Sequence, residues 1–328
     1  MPTTETATEV LVAPGDPIQS ALDSGAPTVR LAEGVHTGGF VLRDGVRVVG
    51  AGAGKTVIVP GEVQTSDVPP LHDAPEKVDH GIVAHRVTGA SVEGLTLRGF
   101  SGAGVYAHTA TDLRLTDVEA DGNRVWGIYL RESSGLAVHR CRAAGSQYGG
   151  IALAFCRAAE ADIDDCETTA NAFGVFVDNS SRARVRRVRS HGNAAGILML
   201  HQTYPGEPEG GVTDCLVADC DLTGNSLAAG GEDPEALGAA GPPMSGVGLA
   251  MIGVQRVAVV GNRITGNHPG GPSVMGAALV VGSSADWGGS ASTDNTLEWN
   301  TVTGNSPANA WVDPDGQRLV NNEIGEAT

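Results

Sequence analysis

A few proton-transferring side chains recur at one fixed interval. His85, His108 and Arg131 are spaced 23 residues apart, and so are Tyr106 and Tyr129. An imidazole or a phenol can take a proton from a carbon next to a carbonyl or carboxylate, and a guanidinium can stabilise the negative charge that develops. If the fold brings these groups together, they predict acid/base chemistry of the kind used in β-elimination, epimerisation, isomerisation or cyclisation.

These residues belong to a five-residue pattern that returns along the chain. It reads Gly, apolar, outward, apolar, outward, as in Gly127-Ile128-Tyr129-Leu130-Arg131. Alternation with period two indicates a strand, and a repeat of about 23 residues indicates a solenoid of stacked parallel strands. Copies begin at Gly81, Gly104, Gly127, Gly150, Gly174 and Gly196, later at Gly246 and Gly276, and a degenerate copy spans 309–313.

The outward positions of successive copies predict two columns on one face. Aromatic residues make up only 4% of the chain, so an aromatic strip on a face that we expect to be solvated suggests a ligand groove. A stable exterior is the alternative interpretation, because cross-strand aromatic pairs also stabilise sheets. The predicted catalytic residues are His85, Tyr106, His108, Tyr129, Arg131 and Asp178, and the predicted substrate-binding residues are Trp126, Glu132, Phe176, Asn179 and His201.

Another outward column carries charges whose sign alternates from coil to coil. Adjacent parallel strands lie about 4.8 Å apart, so each charged pair should face its opposite on both neighbouring coils. This pattern predicts that most arginines are structural and that the residues between the charges, three of them Cys, point inward. The aligned pairs are Asp117/Glu119, Arg140/Arg142, Asp165/Glu167, Arg187/Arg189 and Asp219/Asp221.

The whole chain is predicted to form one all-β solenoid domain, residues 1–328, with about 10 coils of three short strands. A helix over 16–24, with Asp16 as N-cap and Pro17 in the first turn, should cap its apolar end. Loop insertions are expected at 60–79, 202–212, 226–245, 268–275 and 284–292, where they would line the binding face. Recurring asparagines predict an amide ladder at one turn, at Asn123, Asn171, Asn193, Asn225, Asn267 and Asn305.

Composition narrows the class of protein. A net charge of -17 argues against nucleic acids and anionic membranes as partners. The five cysteines lack metal-binding spacing, and the first residues lack the features of a signal peptide, so we expect a cytoplasmic protein with free thiols. No cofactor and no metal are predicted. A homo-oligomer is allowed, because no second capping helix is evident at the C-terminus.

The coil length, the inward aliphatic and Cys residues and the Asn at a turn resemble the right-handed parallel β-helix of the pectate-lyase-like superfamily. The closest similarity is to its generic repeat proteins, of the NosD and carbohydrate-binding/sugar-hydrolase type. The resemblance implies a fold more strongly than an activity, because members include lyases, epimerases, hydrolases and proteins without known catalysis. The Tyr-Gly-Phe-Asp-Pro-His-like stretch of mannuronan epimerases is missing here, as are the polygalacturonase motifs.

Three functions stay open at this point. The first is acid/base catalysis on a carbohydrate-like molecule or an intermediate of specialised metabolism. The second is glycoside hydrolysis by Asp178 and Glu132, since hydrolases need two carboxylates. The third is a non-catalytic ligand-binding or scaffold solenoid. His85 and His108 could also hold a metal, but Asp178 lies too many coils away to be an easy third ligand.

Overall fold

The computed structural model describes residues 8–61, 68–71, 77–231, 237–238 and 241–326. Ten of its strands form one all-parallel sheet with one strand in each coil, which we call the site sheet. Its strands are Phe40–Val41, Ile82–His85, Ala103–His108, Trp126–Arg131, Gly149–Ala154, Phe173–Asp178, Ala195–Leu200, Val247–Ile252, Leu279–Gly282 and Ala310–Val312.

The other two sides of each coil belong to a second parallel sheet of 21 strands, which we call the ladder sheet. The pair Val212–Thr213 and Val254–Gln255 forms a small separate sheet. Together the sheets confirm the predicted parallel solenoid. The strands of the ladder sheet are Glu9–Val12, Thr28–Leu31, Gly34–Thr37, Arg47–Val49, Thr56–Val59, Ser91–Arg98, Arg114–Asp121, Ala137–His139, Arg142–Ala144, Ala161–Asp164, Glu167–Thr169, Ala183–Arg186, Arg189–His191, Leu216–Ala218, Asp221–Thr223, Ala258–Val260, Arg263–Thr265, Asn295–Glu298, Thr301–Thr303, Gln317–Val320 and Glu323–Ile324.

One apolar core fills the solenoid from Val12 to Val302. The apolar positions of the Gly-led strands, such as Ile128 and Leu130, are buried in it, as the alternating pattern predicted. All five cysteines are buried free thiols. Burial raises the pKa of Cys156 to about 11, so this thiol stays protonated and acts as a small apolar side chain.

The ladder sheet has the predicted alternation of charge. Glu119 pairs in register with Arg142, Arg142 with Glu167, Glu167 with Arg189, and Arg189 with Asp221. Arg142 Nη1 lies 2.8 Å from Glu119 Oε1. The first residue of each predicted pair lies at a corner of its coil, since all five have φ between 51° and 55°. Four of them lie between strands, namely Arg140, Asp165, Arg187 and Asp219, whereas Asp117 is a corner within the strand Arg114–Asp121.

The amide ladder is confirmed from Asn171 onward. The side-chain NH2 groups of Asn171, Asn193, Asn225 and Asn267 each donate to the Oδ1 of the next member, at 3.0 Å, and Asn305 donates in turn to Asn309 Oδ1 at 2.9 Å. Asn123, which was predicted to begin the ladder, instead bonds to the main chain of Leu97 and Phe100. A second ladder, which the sequence reasoning missed, joins Asn262 to Asn300 and Asn300 to Asn322 at 2.9 Å. Each amide also donates to or accepts from the backbone, so the turns are closed by hydrogen bonds inside the protein.

The N-terminal helix is shorter than predicted. It spans Ile18–Asp23 with Pro17 as N-cap, and the carboxylate of Asp16 accepts instead from the Ala13 amide at 3.1 Å. Its predicted apolar face is buried, since Ile18 and Leu22 join the core. None of the helices in the described ranges is long and apolar enough to cross a membrane.

The last coils have a different register from the predicted one. Leu198 pairs with Ala250, Ala250 with Val280, and Val280 with Trp311. The repeats therefore begin at Gly248 and Ala278, and the assignments to Gly246 and Gly276 were wrong by two residues. Gly246 has φ of 75° and still belongs to the preceding loop, where its conformation suits glycine and not a strand.

Candidate active site

The site sheet brings the predicted columns together in the middle coils. His85 pairs in register with His108, and His108 with Arg131. The two imidazole centroids are 5.3 Å apart, and those of Tyr106 and Tyr129 are 5.5 Å apart. Asp178 continues the same column two coils beyond Arg131. The spacing of 23 residues therefore stacks His85, His108 and Arg131 in one contiguous row, and Ala154 separates this row from Asp178.

The expectation of an open, solvated groove was wrong. Tyr106 is 0% exposed, and Tyr129 and Phe176 are also buried. They belong to a second apolar cluster, outside the solenoid core, that includes Leu71 and Met244 from two of the insertions. Apolar residues of the insertions thus cover the aromatic strip, because covering it removes its apolar surface from water.

Trp126 organises the aromatic part of this cluster. Its ring stacks on those of Tyr129, Tyr148 and Phe176 at centroid distances of 4.8, 5.5 and 6.2 Å. The ring lies against Gly149, where a Cβ atom would come within 2.6 Å of it. Trp126 is 3% exposed, and its Nε1 has no hydrogen-bond partner. The predicted substrate-binding surface of Trp126 is therefore occupied by other rings.

Tyr106 is locked beneath the first insertion. Its hydroxyl donates to the Pro69 carbonyl at 2.9 Å, and burial raises its pKa to about 12. His80 packs against the Tyr106 ring at 5.1 Å, and its Nδ1 accepts from the Ala103 amide at 3.0 Å. Burial lowers the pKa of His80 to about 4. A phenol held in this way keeps its proton, so Tyr106 is a poorer general base than the sequence suggested.

Arg131 already has two carboxylate partners. Its Nε lies 2.9 Å from Glu132, its terminal nitrogens bond to Glu207 of the second insertion, and its guanidinium lies 5.0 Å from the Phe155 ring centroid. Burial disfavours the charged form of Arg131, but the hydrogen bonds that Arg131 donates to Glu207 and Glu132 outweigh burial and raise its pKa. The predicted role in stabilising an enolate therefore requires a substrate to displace a carboxylate.

His108 lies between an imidazole and a carboxylate. Its Nε2 is 3.4 Å from Glu132 Oε1, and its Nδ1 is 3.0 Å from the Thr109 hydroxyl. Burial lowers the pKa of His108, although the charge of Glu132 acts in the opposite direction. On its other side, Nδ1 of His85 is buried without a hydrogen-bond partner. His85 and Glu132 are both partly exposed, so this edge is where the row reaches solvent.

The remaining predicted residues are held by the protein itself. Asp178 is buried, and both amide atoms of Asn179 bond to the main chain of Gln202. His201 Nδ1 lies 3.0 Å from the Ser290 hydroxyl. Asn179 has φ of 44° and occupies a coil corner, where its side chain closes the turn. We interpret Asn179 as a structural amide instead of a substrate ligand.

Several residues of the site were missed in the sequence. Glu207, Tyr204 and Pro69 come from insertions that have no period, so their partners on the coils could not be aligned. Phe155 and Tyr148 follow and precede a Gly-led strand, at positions that the two outward columns leave out. Among the described residues, no group of three or more His, Cys, Asp or Glu side chains is arranged to hold a metal ion.

Comparison with known proteins identifies the fold. The family model of a right-handed beta helix region matches residues 80–284. The A-module of a mannuronan C-5 epimerase from Azotobacter vinelandii is similar over 94% of this chain and 91% of its own, with a TM-score of 0.65 and 19% identity. An alginate lyase from Paenibacillus matches over 96% and 99%, with a TM-score of 0.59 and 13% identity.

A periplasmic alginate epimerase matches over 97% of this chain and 77% of its own, with a TM-score of 0.58 and 12% identity. Among proteins of curated function, none matches the sequence. At these identities the solved structures show a common fold, and the right-handed coil predicted from the sequence is confirmed.

Proposed function

The chain belongs to the right-handed β-helix family, and we propose that it is an enzyme of acid/base chemistry acting on a carbohydrate-like molecule. The observation that carries this proposal is the row of His85, His108 and Glu132. It places an imidazole with an unpartnered nitrogen beside a second imidazole that contacts a carboxylate. Two such groups can remove a proton from one side of a substrate carbon and return a proton to its other side.

The proposed chemistry follows from the state of each group. Because burial lowers the pKa of His108, its imidazole is neutral at neutral pH and can accept a proton. Glu132, 3.4 Å away, would stabilise the resulting imidazolium. His85, whose ring is partly exposed and lies 5.3 Å from that of His108, would supply the second proton-transfer group. Two such groups suit epimerisation, elimination or isomerisation, each of which begins with loss of a proton from carbon.

The structural neighbours support the same class. Their names describe a mannuronan C-5 epimerase, an alginate epimerase and an alginate lyase. The substrate of this chain would be a saccharide or a related metabolite. The cytoplasmic location remains part of the proposal, with which five buried free thiols agree.

Hydrolysis by Asp178 and Glu132 is less well supported. Their coils are two steps apart, about 10 Å at the spacing of parallel strands, which is at or beyond the upper end of the range for glycosidase carboxylates. Asp178 is buried, and Glu132 is engaged by Arg131 and His108.

The non-catalytic alternative is favoured by one observation, the complete burial of Tyr106 beneath the first insertion. A face closed in this way could serve only to stiffen the solenoid. Turnover by the wild type is what separates this alternative from the enzyme.

The experiment is to incubate the protein in D2O with a panel of uronate and neutral oligosaccharides and small glycosides, and to follow deuterium entering carbon positions by NMR. Epimerisation and isomerisation introduce deuterium at carbon, and elimination is followed in the same spectra by the new vinyl proton of its product. We expect His108→Ala to lose at least about 100-fold in the rate of either signal. His191→Ala is the matched control, because His191 contacts Glu167 at the same 3.4 Å on the ladder sheet. No exchange and no elimination by the wild type on any compound would leave the scaffold interpretation, and equal losses in both variants would contradict the site.

A further inference from the structure

The C-terminal end of the site sheet carries a cavity outside the histidine row. Its volume is about 410 Å³, within the usual range of small-molecule sites. Part of its lining comes from outward positions of the last coils, and Pro242, Val274, Met275 and Trp287 come from insertions. The lining residues are Pro242, Ile252, Val274, Met275, Gly276, Val280, Gly282, Ser283, Trp287 and Trp311.

Two tryptophans give this cavity its chemistry. Trp287 is 48% exposed and Trp311 is 55% exposed, and neither ring has an aromatic partner among the described residues. Trp126, by contrast, is covered by three rings at the other end of the same sheet. Exposed indole faces at a concave surface mark a binding site more often than a structural one.

The protein holds both rings in place. Trp311 lies against Gly282, where a Cβ atom would come within 2.8 Å of the indole, so only glycine lets the ring rest on the sheet. Trp287 ends a 3-10 turn, Ala285–Trp287, and its carbonyl accepts from the Thr203 amide at 3.0 Å. The Thr203 hydroxyl donates to the next carbonyl, that of Gly288, at 2.8 Å. The sheet thus supports the indole of Trp311, and the insertion at 202–212 anchors the main chain that carries Trp287.

The charge around the cavity selects among ligands. None of its lining residues is a Lys, Arg or His, whereas Asp286 precedes Trp287 and Asp313 follows Trp311 by two residues. A cavity without a cation in its lining offers no opposite charge to the carboxylate of an acidic sugar. The indole faces instead offer apolar surface on which the C–H face of a pyranose ring can stack.

We propose that this cavity is a binding site for a neutral pyranose unit, which stacks on Trp311 and Trp287. The inference does not depend on the proposed catalysis, because no residue of the histidine row lines the cavity. It assigns a sugar preference, neutral and not uronate, to this end of the protein.

Affinity measured by titration calorimetry with gluco-, manno- and xylo-oligosaccharides, and with oligouronates of equal length, tests the proposal. We expect at least one neutral series to bind more tightly than the uronates, and Trp311→Ala to weaken it about tenfold or more. Trp287→Ala should weaken the same ligand. Trp299→Ala is the matched control, since Trp299 is 63% exposed but lies at a corner of the ladder sheet, and it should change affinity less than twofold.

His108→Ala separates this proposal from the catalytic one, because it should leave binding at the tryptophans unchanged even if turnover is lost. Two results would overturn the proposal. One is that no neutral oligosaccharide binds the wild type, or that uronates bind better. The other is that the Trp311 and Trp287 variants bind as the wild type does, with folding of all variants verified by circular dichroism.

Discussion

A histidine faces a glutamate at the same distance in two places of this molecule, yet the surroundings of the two pairs differ. His191 Nε2 lies 3.4 Å from Glu167 on the ladder sheet, and His108 Nε2 lies 3.4 Å from Glu132 beside the site sheet. Glu167 is also within 4 Å of Arg142 and Arg189, its partners on the two neighbouring coils. His108 is more buried and contacts a second histidine.

The difference shows how a repeat can separate structure from chemistry. On the ladder sheet each charge finds its opposite one coil away, so the partner is supplied by the period itself. On the site sheet the period stacks like beside like, His on His and Tyr on Tyr, and the balancing carboxylate of Glu207 comes from an insertion. Side chains whose charge is not paired with an opposite charge on a neighbouring coil are the ones available for function.

The largest expected effect comes from removing one carboxylate of each pair. Glu132→Gln should lower turnover of any compound that the wild type processes by about 10²- to 10³-fold, because the imidazolium of His108 loses its counter-charge. Glu167→Gln should change turnover less than twofold. Steady-state rates of both variants check this prediction. Equal losses in the two variants would contradict the claim that the two His–Glu pairs differ in function.

The pH dependence of stability gives a further test, because burial lowers the pKa of His80. Its pKa is about 4 in the folded chain and 6.5 when unfolded, so between these values the unfolded chain binds more protons. Stability is therefore complete above pH 6.5 and falls toward pH 4, by at most about 3 kcal/mol from this group. Urea unfolding at pH 7 and pH 4.5 measures the loss, and His80→Gln should reduce it. An unchanged pH slope in that variant would contradict the assigned burial.

The amide ladder should matter for stability and not for chemistry. Asn225→Ala removes the side-chain acceptor of the Asn193 main-chain amide and the side-chain donor to the Ser190 carbonyl in the interior, which should cost about 2–3 kcal/mol of unfolding free energy. Turnover per folded molecule should stay within twofold of the wild type. Unfolding curves together with rates test this, and a loss of activity in a fully folded variant would count against it.

The smallest effect belongs to the exposed ion pairs of the ladder sheet. Arg140 and Asp117 lie 2.8 Å apart, but both side chains are about half exposed. Arg140→Ala should therefore lower the urea midpoint of unfolding far less than Asn225→Ala does. Equal shifts in the two variants would mean that the alternating charges hold the coils together more strongly than surface pairs usually do.

The sequence predicted the repeating parts because each rests on local spacing. The Gly-led strands, the inward Cys141 and Cys166 and the alternating charges of Glu119, Arg142 and Glu167 all follow from a period of about 23 residues. It did not predict that the aromatic face is closed. The contacts that close it, Tyr106 to Pro69 and Arg131 to Glu207, join residues 37 and 76 positions apart through insertions without a repeat.

The predicted register of the last coils was wrong for the same physical reason. Glycine occurs in loops and in strands alike, so Gly246 at the end of an insertion could not be distinguished from Gly248 at the start of a strand. Trp311 was nevertheless assigned to the correct outward position, because no insertion lies between the preceding strand, Thr301–Thr303, and its own.

The most direct test of the account is a crystal structure of the His108→Ala variant with a compound that the wild type exchanges in D2O. We predict that the compound lies at the edge formed by His85 and Glu132, with the exchanging carbon within about 3.5 Å of one of these groups or of the volume left by the His108 ring. The compound bound elsewhere, with Pro69 and Glu207 still closing this face, would contradict the assignment of the site.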